Sequence, residues 1–145
     1  MDMEQALALS ASGLDVQRQR MNVIASNLAN VNSTKSAQGG PFRRRDLVIR
    51  SAPVGRPFGA MLDKAARQES PGVRAVRVIE DPRPPRQVHE PHHPDADAQG
   101  NVAMPDINVM EEMVNLMTAS RAYEANVTAM SVTKAMALKA LEIGR

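Results

Sequence analysis

Near the start of the chain, Leu7, Leu14, Met21 and Leu28 recur at heptad spacing, with Met3, Ile24 and Val31 filling intervening apolar positions. A stripe of that period lies along one side of a helix and suits packing against another helix. Ser10 and Gln17 interrupt it at positions where apolar side chains would be expected. The pattern predicts a helix over residues 2–32. Asn30 and Asn32 can take the left-handed conformation that ends a helix, and Ser33-Thr34-Lys35-Ser36-Ala37-Gln38-Gly39-Gly40-Pro41 breaks it.

A second stripe occupies the far end: Val109, Met113, Leu116, Ser120, Tyr123, Val127, Met130, Lys134, Ala137 and Leu141, in alternating steps of four and three. Asn108 followed by Glu111 resembles a capping box, with Asn in the usual place of Ser or Thr. No Gly or Pro interrupts the stretch before Gly144. The predicted helix, residues 108–143, would be about 54 Å long.

Between the helices the period shortens. Residues 42–50 and 73–80 alternate β-branched residues with Arg and predict strands. Residues 87–90 and 101–104 are shorter strand candidates, and 51–72 reads as a loop expected to be mobile. Nine of the ten prolines lie between Pro53 and Pro105 and exclude a long helix there. The fold class is therefore mainly α with a small β insert. The segments are an N-terminal helix (1–34), a β-rich insert (35–105) and a C-terminal helix (106–145). Two long helices from opposite ends bury little apolar surface within one chain, so neighbours are expected to supply the rest. Neighbours that are copies in a non-closing arrangement would build a filament.

Composition supports packing over chemistry. Apolar residues make up 43% of the chain, yet only two Phe and one Tyr are present beside ten Met. Met adapts to irregular neighbours. With no cysteine, disulfides, thiolate metal sites and Cys nucleophiles are excluded. Met1-Asp2-Met3-Glu4 opens without a basic region or an apolar run, so no cleaved signal peptide is expected. No apolar run is long enough for a membrane span.

The sequence pI of about 9.4 raises nucleic acid as a partner. The charge is concentrated, however, with eleven of the eighteen Lys and Arg but only five acids between Phe42 and Arg86. Arg43-Arg44-Arg45 could meet phosphates, but Arg alternating with Val describes a strand with one charged face, and no aromatic residues are interleaved. Acidic patches on neighbouring subunits suit these arginines better. His89, His92 and His93 beside Asp95 and Asp97 are split by Pro91 and Pro94 and lack helical spacing, so no metal site is expected. Residues 95–106 imitate a calcium loop, but Gln99 and Asp106 are poor ligands at their offsets and no entering helix precedes them. Neither a phosphate loop nor a nucleophile–base arrangement is present, so no catalytic or cofactor-binding residue and no cofactor is expected.

Asn22, Asn27 and Asn30 admit two readings. Their amides could bond only to local backbone at a fraying helix end, or they could reach across helices and fix register.

Several motifs add an identity to this physical picture. Ser10-Ala11-Ser12-Gly13-Leu14, Arg18-Gln19-Arg20-Met21-Asn22-Val23-Ile24-Ala25 and above all Ser26-Asn27-Leu28-Ala29-Asn30 resemble the N-terminal motif of the flagellar axial rod and hook proteins. Gly39-Gly40-Pro41-Phe42, His93-Pro94-Asp95-Ala96-Asp97, residues 104–115, Ser120-Arg121-Ala122-Tyr123-Glu124-Ala125-Asn126-Val127 and Lys139-Ala140-Leu141-Glu142-Ile143-Gly144 are similar to its proximal-rod members. The chain departs from them at His89 and Asn101, where that family tends to place aromatics, and at Phe42, where it tends to place Tyr.

The resemblance implies a structural subunit of the hollow basal-body rod, exported by the flagellar type III apparatus and placed in the periplasm-spanning part. Its terminal helices would pack as a coiled-coil-like axial domain. The implied partners are copies of itself, other proximal and distal rod proteins, the rod–ring junction protein and the membrane ring with its export apparatus, without nucleic acid or a membrane span. Leu7, Leu14, Met21, Ile24, Leu28, Val109, Met113, Leu116, Tyr123, Val127, Met130 and Leu141 are the expected interface residues. Ser26, Asn27, Leu28, Ala29 and Asn30 are the expected register motif. The alternative is a soluble helical adaptor or export-chaperone-like protein.

Overall fold

The computed structural model describes residues 3–36, 39–53 and 71–143. Helix α1 covers Met3–Ala29 and helix α2 covers Val109–Ile143, with four strands between them: β1 (Arg45–Pro53), β2 (Pro71–Glu80), β3 (Arg86–His89) and β4 (Asn101–Met104). The architecture is two long helices carrying a small antiparallel insert.

The end of α1 differs from expectation. No described residue other than glycine has a positive φ, so neither Asn30 nor Asn32 takes a left-handed cap. The helix instead unwinds through tighter turns, with Val31 N–H donating to Leu28 and Ser33 N–H to Asn30. Asn30 makes the left-handed cap unnecessary, because its side-chain amide donates to the Ser26 carbonyl at 2.8 Å. The chain reverses later, where Gly39 and Gly40 have φ of 84° and 76°.

The first strand starts later than its β-branched pattern suggests. Phe42 is buried, with its N–H bonded to Ser33, and Arg44 is drawn toward α2, so pairing begins at Arg45. From there β1 and β2 form a two-stranded ribbon whose ladder continues to Pro53 opposite Pro71. Ser51–Pro53 and the start of β2 are therefore strand and not loop, since continued pairing outweighs the weak local propensity of Ser and Pro. The rest of the expected mobile loop, residues 54–70, lies outside the described residues.

Strands β3 and β4 form a second antiparallel pair, with His89 opposite Asn101. Two of the three departures from the family pattern thus face each other, and His89 Nδ1 lies 3.2 Å from Asn101 Oδ1. Asp97 shapes the connecting turn by accepting from Gln99 N–H and Asn101 N–H, both at 2.8 Å. No group of acids and histidines among the described residues is arranged to hold a metal ion.

Helix α2 begins at a side-chain cap, as Asn108 Oδ1 accepts from the N–H groups of Met110 and Glu111. It runs antiparallel to α1, with Glu112 beside Asn27 and Asn126 beside Gly13. Gly13 makes the crossing close, because a Cβ there would lie 3.0 Å from Asn126 Nδ2. Continued along both helices, the same register brings Met136 level with Met3, so about two turns of α2 run on past Met3. Among the described residues the apolar core is small: Val16, Ile24, Phe42, Val102 and Ala119 are its buried members. It gathers where the end of α1, the start of α2 and the roots of the insert meet.

Candidate subunit interface

The junction is held by a polar clamp built from all three segments. Asn27 and Glu112 are 0% and 1% exposed. Asn27 Nδ2 donates to the Arg45 carbonyl at 2.8 Å and to Glu112 Oε2 at 2.9 Å, while Asn27 Oδ1 accepts from Arg45 N–H at 2.9 Å. Arg44 completes the set, with Nε and Nη2 each 2.8 Å from Glu112 Oε1. A carboxylate taken out of water is tolerated only when paired and fully hydrogen-bonded, as this one is. The asparagine amide suits its position because it satisfies a backbone N–H, a backbone carbonyl and a carboxylate at once.

The motif asparagines therefore have different environments. Asn27 bridges α1, β1 and α2 and sets their register within one chain. Asn30 bonds locally to Ser26 and Ser33. Asn22 is exposed and lines a cleft with Val23, Ser26, Arg45, Val78 and Glu80. Ser26 and Leu28 are half-buried and Ala29 is exposed. Sequence reasoning missed Glu112, Arg44 and Arg45. The signal available was a glutamate one turn into an apolar helix, but nothing local indicated that it would be buried.

The expected stripes map unevenly onto the packing. On α1, Leu7, Leu14, Met21 and Leu28 are half-buried and Ile24 is buried. Gln17, noted as an interruption, places its amide oxygen inside the packing with no hydrogen-bond partner among the described residues. On α2 the covered side runs through Glu112, Leu116, Ala119, Tyr123, Asn126, Met130 and Ala137. Leu116, Tyr123 and Met130 belong to both sets. Val109, Met113 and Val127 lie on the exposed flank, and Leu141, which falls in line with Tyr123 about five turns earlier, is nonetheless 71% exposed. The helix turns polar Glu112 and Asn126 toward α1 together with Leu116, Ala119 and Met130, while many of its other apolar side chains look outward.

Those outward residues form a broad surface. Val109, Met110, Met113, Val114, Met117, Val127, Val132, Met136, Leu138 and Leu141 are all substantially exposed. At about 100° per residue, those from Val109 to Met136 fan over roughly half the circumference. A helix apolar nearly all round belongs inside a larger body. No described helix is long and apolar enough to cross a membrane, and a contiguous apolar surface of this kind marks a protein contact.

A small clamped junction, two antiparallel terminal helices and an uncovered apolar helix face are the features of an axial protein, one completed by its neighbours. Comparison with known proteins gives the same class. Residues 7–38 match the profile described as "Flagella basal body rod protein", and residues 98–143 match "Flagellar basal body rod FlgEFG protein C-terminal". The flagellar basal-body rod protein FlgC of Yersinia enterocolitica is 41% identical over 137 residues, covering 94% of each chain. Those of Bacillus subtilis and Aquifex aeolicus are each 40% identical, over 147 and 135 residues, covering 97% and 92% of this chain and 97% and 91% of their own. The chain belongs to the FlgC family of flagellar basal-body rod proteins. These matches run through both terminal helices and lend nothing to the adaptor or chaperone alternative.

Proposed function

We propose that the chain is a structural subunit of the flagellar basal-body proximal rod, polymerising through α1 and α2 into the hollow shaft that transmits torque and walls the export channel. The observation that carries this reading is the outer face of α2. Ten apolar side chains of one helix stand exposed in the single chain, and burying them against neighbouring helices is the main source of assembly free energy, at about 25 cal/mol per Å² of apolar area removed from water. Copies of the chain and other rod proteins are the occupants that family membership supports. In this reading Leu7, Leu14, Met21, Leu28, Val109, Met113, Leu116, Tyr123, Val127, Met130 and Leu141 contribute to subunit contacts. Ile24 and Asn27 act from inside the fold by fixing the angle between the helices. Export through the flagellar apparatus without a cleaved signal, contacts with the distal rod, junction protein and membrane ring, and the absence of catalytic activity belong to the same proposal.

The test is Val127→Asp, with Leu28→Asp beside it. Both should be expressed and exported, yet fail to appear in purified basal bodies and leave cells non-motile. Normal motility in both variants would remove these faces as interfaces.

A further inference from the structure

The β1–β2 ribbon has two unlike faces, and a bulge makes them so. Pairing runs from Arg45 opposite Glu80 to Val48 opposite Arg77, then resumes with Ile49 opposite Ala75, leaving Val76 without a partner on β1. In an unbroken strand, Arg74 and Arg77 would fall on opposite faces because side chains alternate. The extra residue turns Arg77 to the face that carries Arg74, and Arg50 sits directly across from Arg74. Arg45, Val78 and Glu80, on the other face, share a cleft with Asn22, Val23 and Ser26 of α1. The arginine face therefore points away from the helix.

Charge is balanced on one face only. Arg45 meets Glu80 at 3.3 Å on the α1 side. Arg50, Arg74 and Arg77 are exposed, and none of them takes part in an ion pair among the described residues. Asp46, near the far end of their face, lies 3.8 Å from Arg44 instead. Like charges directly opposite on paired strands destabilise a ribbon, so the isolated chain carries a cost that an anionic partner would reverse. Ile79 and Val48 stand on the same face, giving apolar ground between the cations.

We propose that this arginine face docks an acidic protein surface in the assembly, one presenting several carboxylates along a strip of about 10 Å. The proposal rests on the rod-subunit reading and names the chemistry of one of its neighbours. Guanidinium forks recognise carboxylates bidentately, and arginine on apolar ground is typical of protein interfaces. Three cations fall short of the clusters of roughly four to eight that hold a segment to an anionic bilayer. No aromatic residue among those described on the face is available to stack on a base.

The experiment places a photo-cross-linking amino acid at Ile79 in flagellated cells and sequences the captured peptide. A protein peptide carrying several Asp or Glu is expected. A lipid adduct, a peptide without acids, or no adduct would overturn the proposal. In parallel, Arg50→Gln/Arg74→Gln/Arg77→Gln is compared with Arg43→Gln/Arg83→Gln/Arg86→Gln, which removes the same charge from exposed positions elsewhere on the insert. The Gln set relieves repulsion in the ribbon, so the fold should tolerate it. Recovery in basal bodies should fall about tenfold for the face variant, equivalent to a loss of about 1.4 kcal/mol in contact free energy, and change less than about twofold for the control. Equal losses, or no loss, would overturn the proposal. If the face variant assembles normally while Val127→Asp does not, the rod reading stands and this one falls.

Discussion

The side-chain amide of Asn27 and the carboxylate of Glu112 meet at 2.9 Å across 85 residues of sequence. Both are buried, and Arg44 and the backbone of Arg45 close the set from the insert. One asparagine thus ties the end of the first helix, the start of the sheet and the start of the second helix together. Because the apolar core is small, this polar junction has a large part in fixing one arrangement of the helices.

Substitution at Asn27 should be felt accordingly. Asn27→Asp keeps the shape but sets a carboxylate against Glu112 and removes the donor to the Arg45 carbonyl. Losing a buried partner costs about 1–3 kcal/mol per group left unsatisfied, so Asn27→Asp should destabilise by at least about 3 kcal/mol. Glu112→Ala, which strands Arg44, should cost about 3–5 kcal/mol. Urea titration followed by helix circular dichroism measures both. Midpoints within error of the parent protein would show that the clamp does not hold the fold.

Where the helices cross, the constraint is space. A Cβ on Gly13 would sit 3.0 Å from Asn126 Nδ2 and 3.3 Å from its Cγ. Ala in place of Gly gains about 1 kcal/mol of helix propensity, and the movable amide can give by a few tenths of an ångström. Gly13→Ala should therefore be close to neutral, whereas Gly13→Ala/Asn126→Ala should be more stable than Asn126→Ala by up to about 1 kcal/mol. Gly13→Leu should separate the helices and cost about 1–3 kcal/mol. Thermal melts of the four variants decide, and a Gly13→Leu protein as stable as the parent would mean that the crossing has room to spare.

Much of this molecule was legible in the sequence because its elements are long and strongly periodic. Both helices, the Asn108 cap and all four strands follow from spacing and turn residues, since those signals are local. Which side of α2 faces inward was not legible. Helix α2 is apolar around so much of its circumference that the Val109–Leu141 stripe is only one of several that could be drawn. The side chosen against α1 is fixed by Glu112 and Asn126, polar residues whose partners Arg44, Asn27 and Gly13 lie far away in sequence. The bulge at Val76 was hidden for a similar reason, as a clean alternation of Val and Arg gives no warning of a missing partner on the opposite strand.

A second tie, between the loop after α1 and the β3–β4 turn, should respond to acid. Asp95 Oδ2 accepts from Thr34 Oγ1 at 2.8 Å, Lys35 Nζ pairs with Oδ1, and Asp95 N–H donates to His93 Nδ1. Lys35 and then Thr34, bonding to the charged form, hold the Asp95 carboxyl below its ordinary value of 3.8. A depressed carboxylate contributes stability that is present above the unfolded value and lost as pH falls through the folded one. The tie should therefore remain at mildly acidic pH and open only below 3.8. Carboxyl NMR titration should give a midpoint for Asp95 under that value, moving up toward it in Lys35→Met. A midpoint at or above the ordinary value in the parent protein would show that the contact is not maintained in solution.

The two sides of α2 should separate folding from assembly. Ala119 is 0% exposed against α1, so Ala119→Leu overpacks the helix pair and should cost about 1–3 kcal/mol in the isolated subunit. Met117 is 54% exposed on the outer face, where a polar replacement keeps much of its side chain in water. Met117→Gln should shift the isolated subunit by no more than about 0.5 kcal/mol, yet lower its recovery in basal bodies because its neighbours lose an apolar contact. Melting the purified variants and quantifying each in isolated basal bodies tests both halves. If Met117→Gln assembles at the parental level in combination with Met113→Gln and Val127→Thr, the outer face is not buried by neighbours. If Ala119→Leu melts at the parental temperature, α1 does not pack on that side of α2.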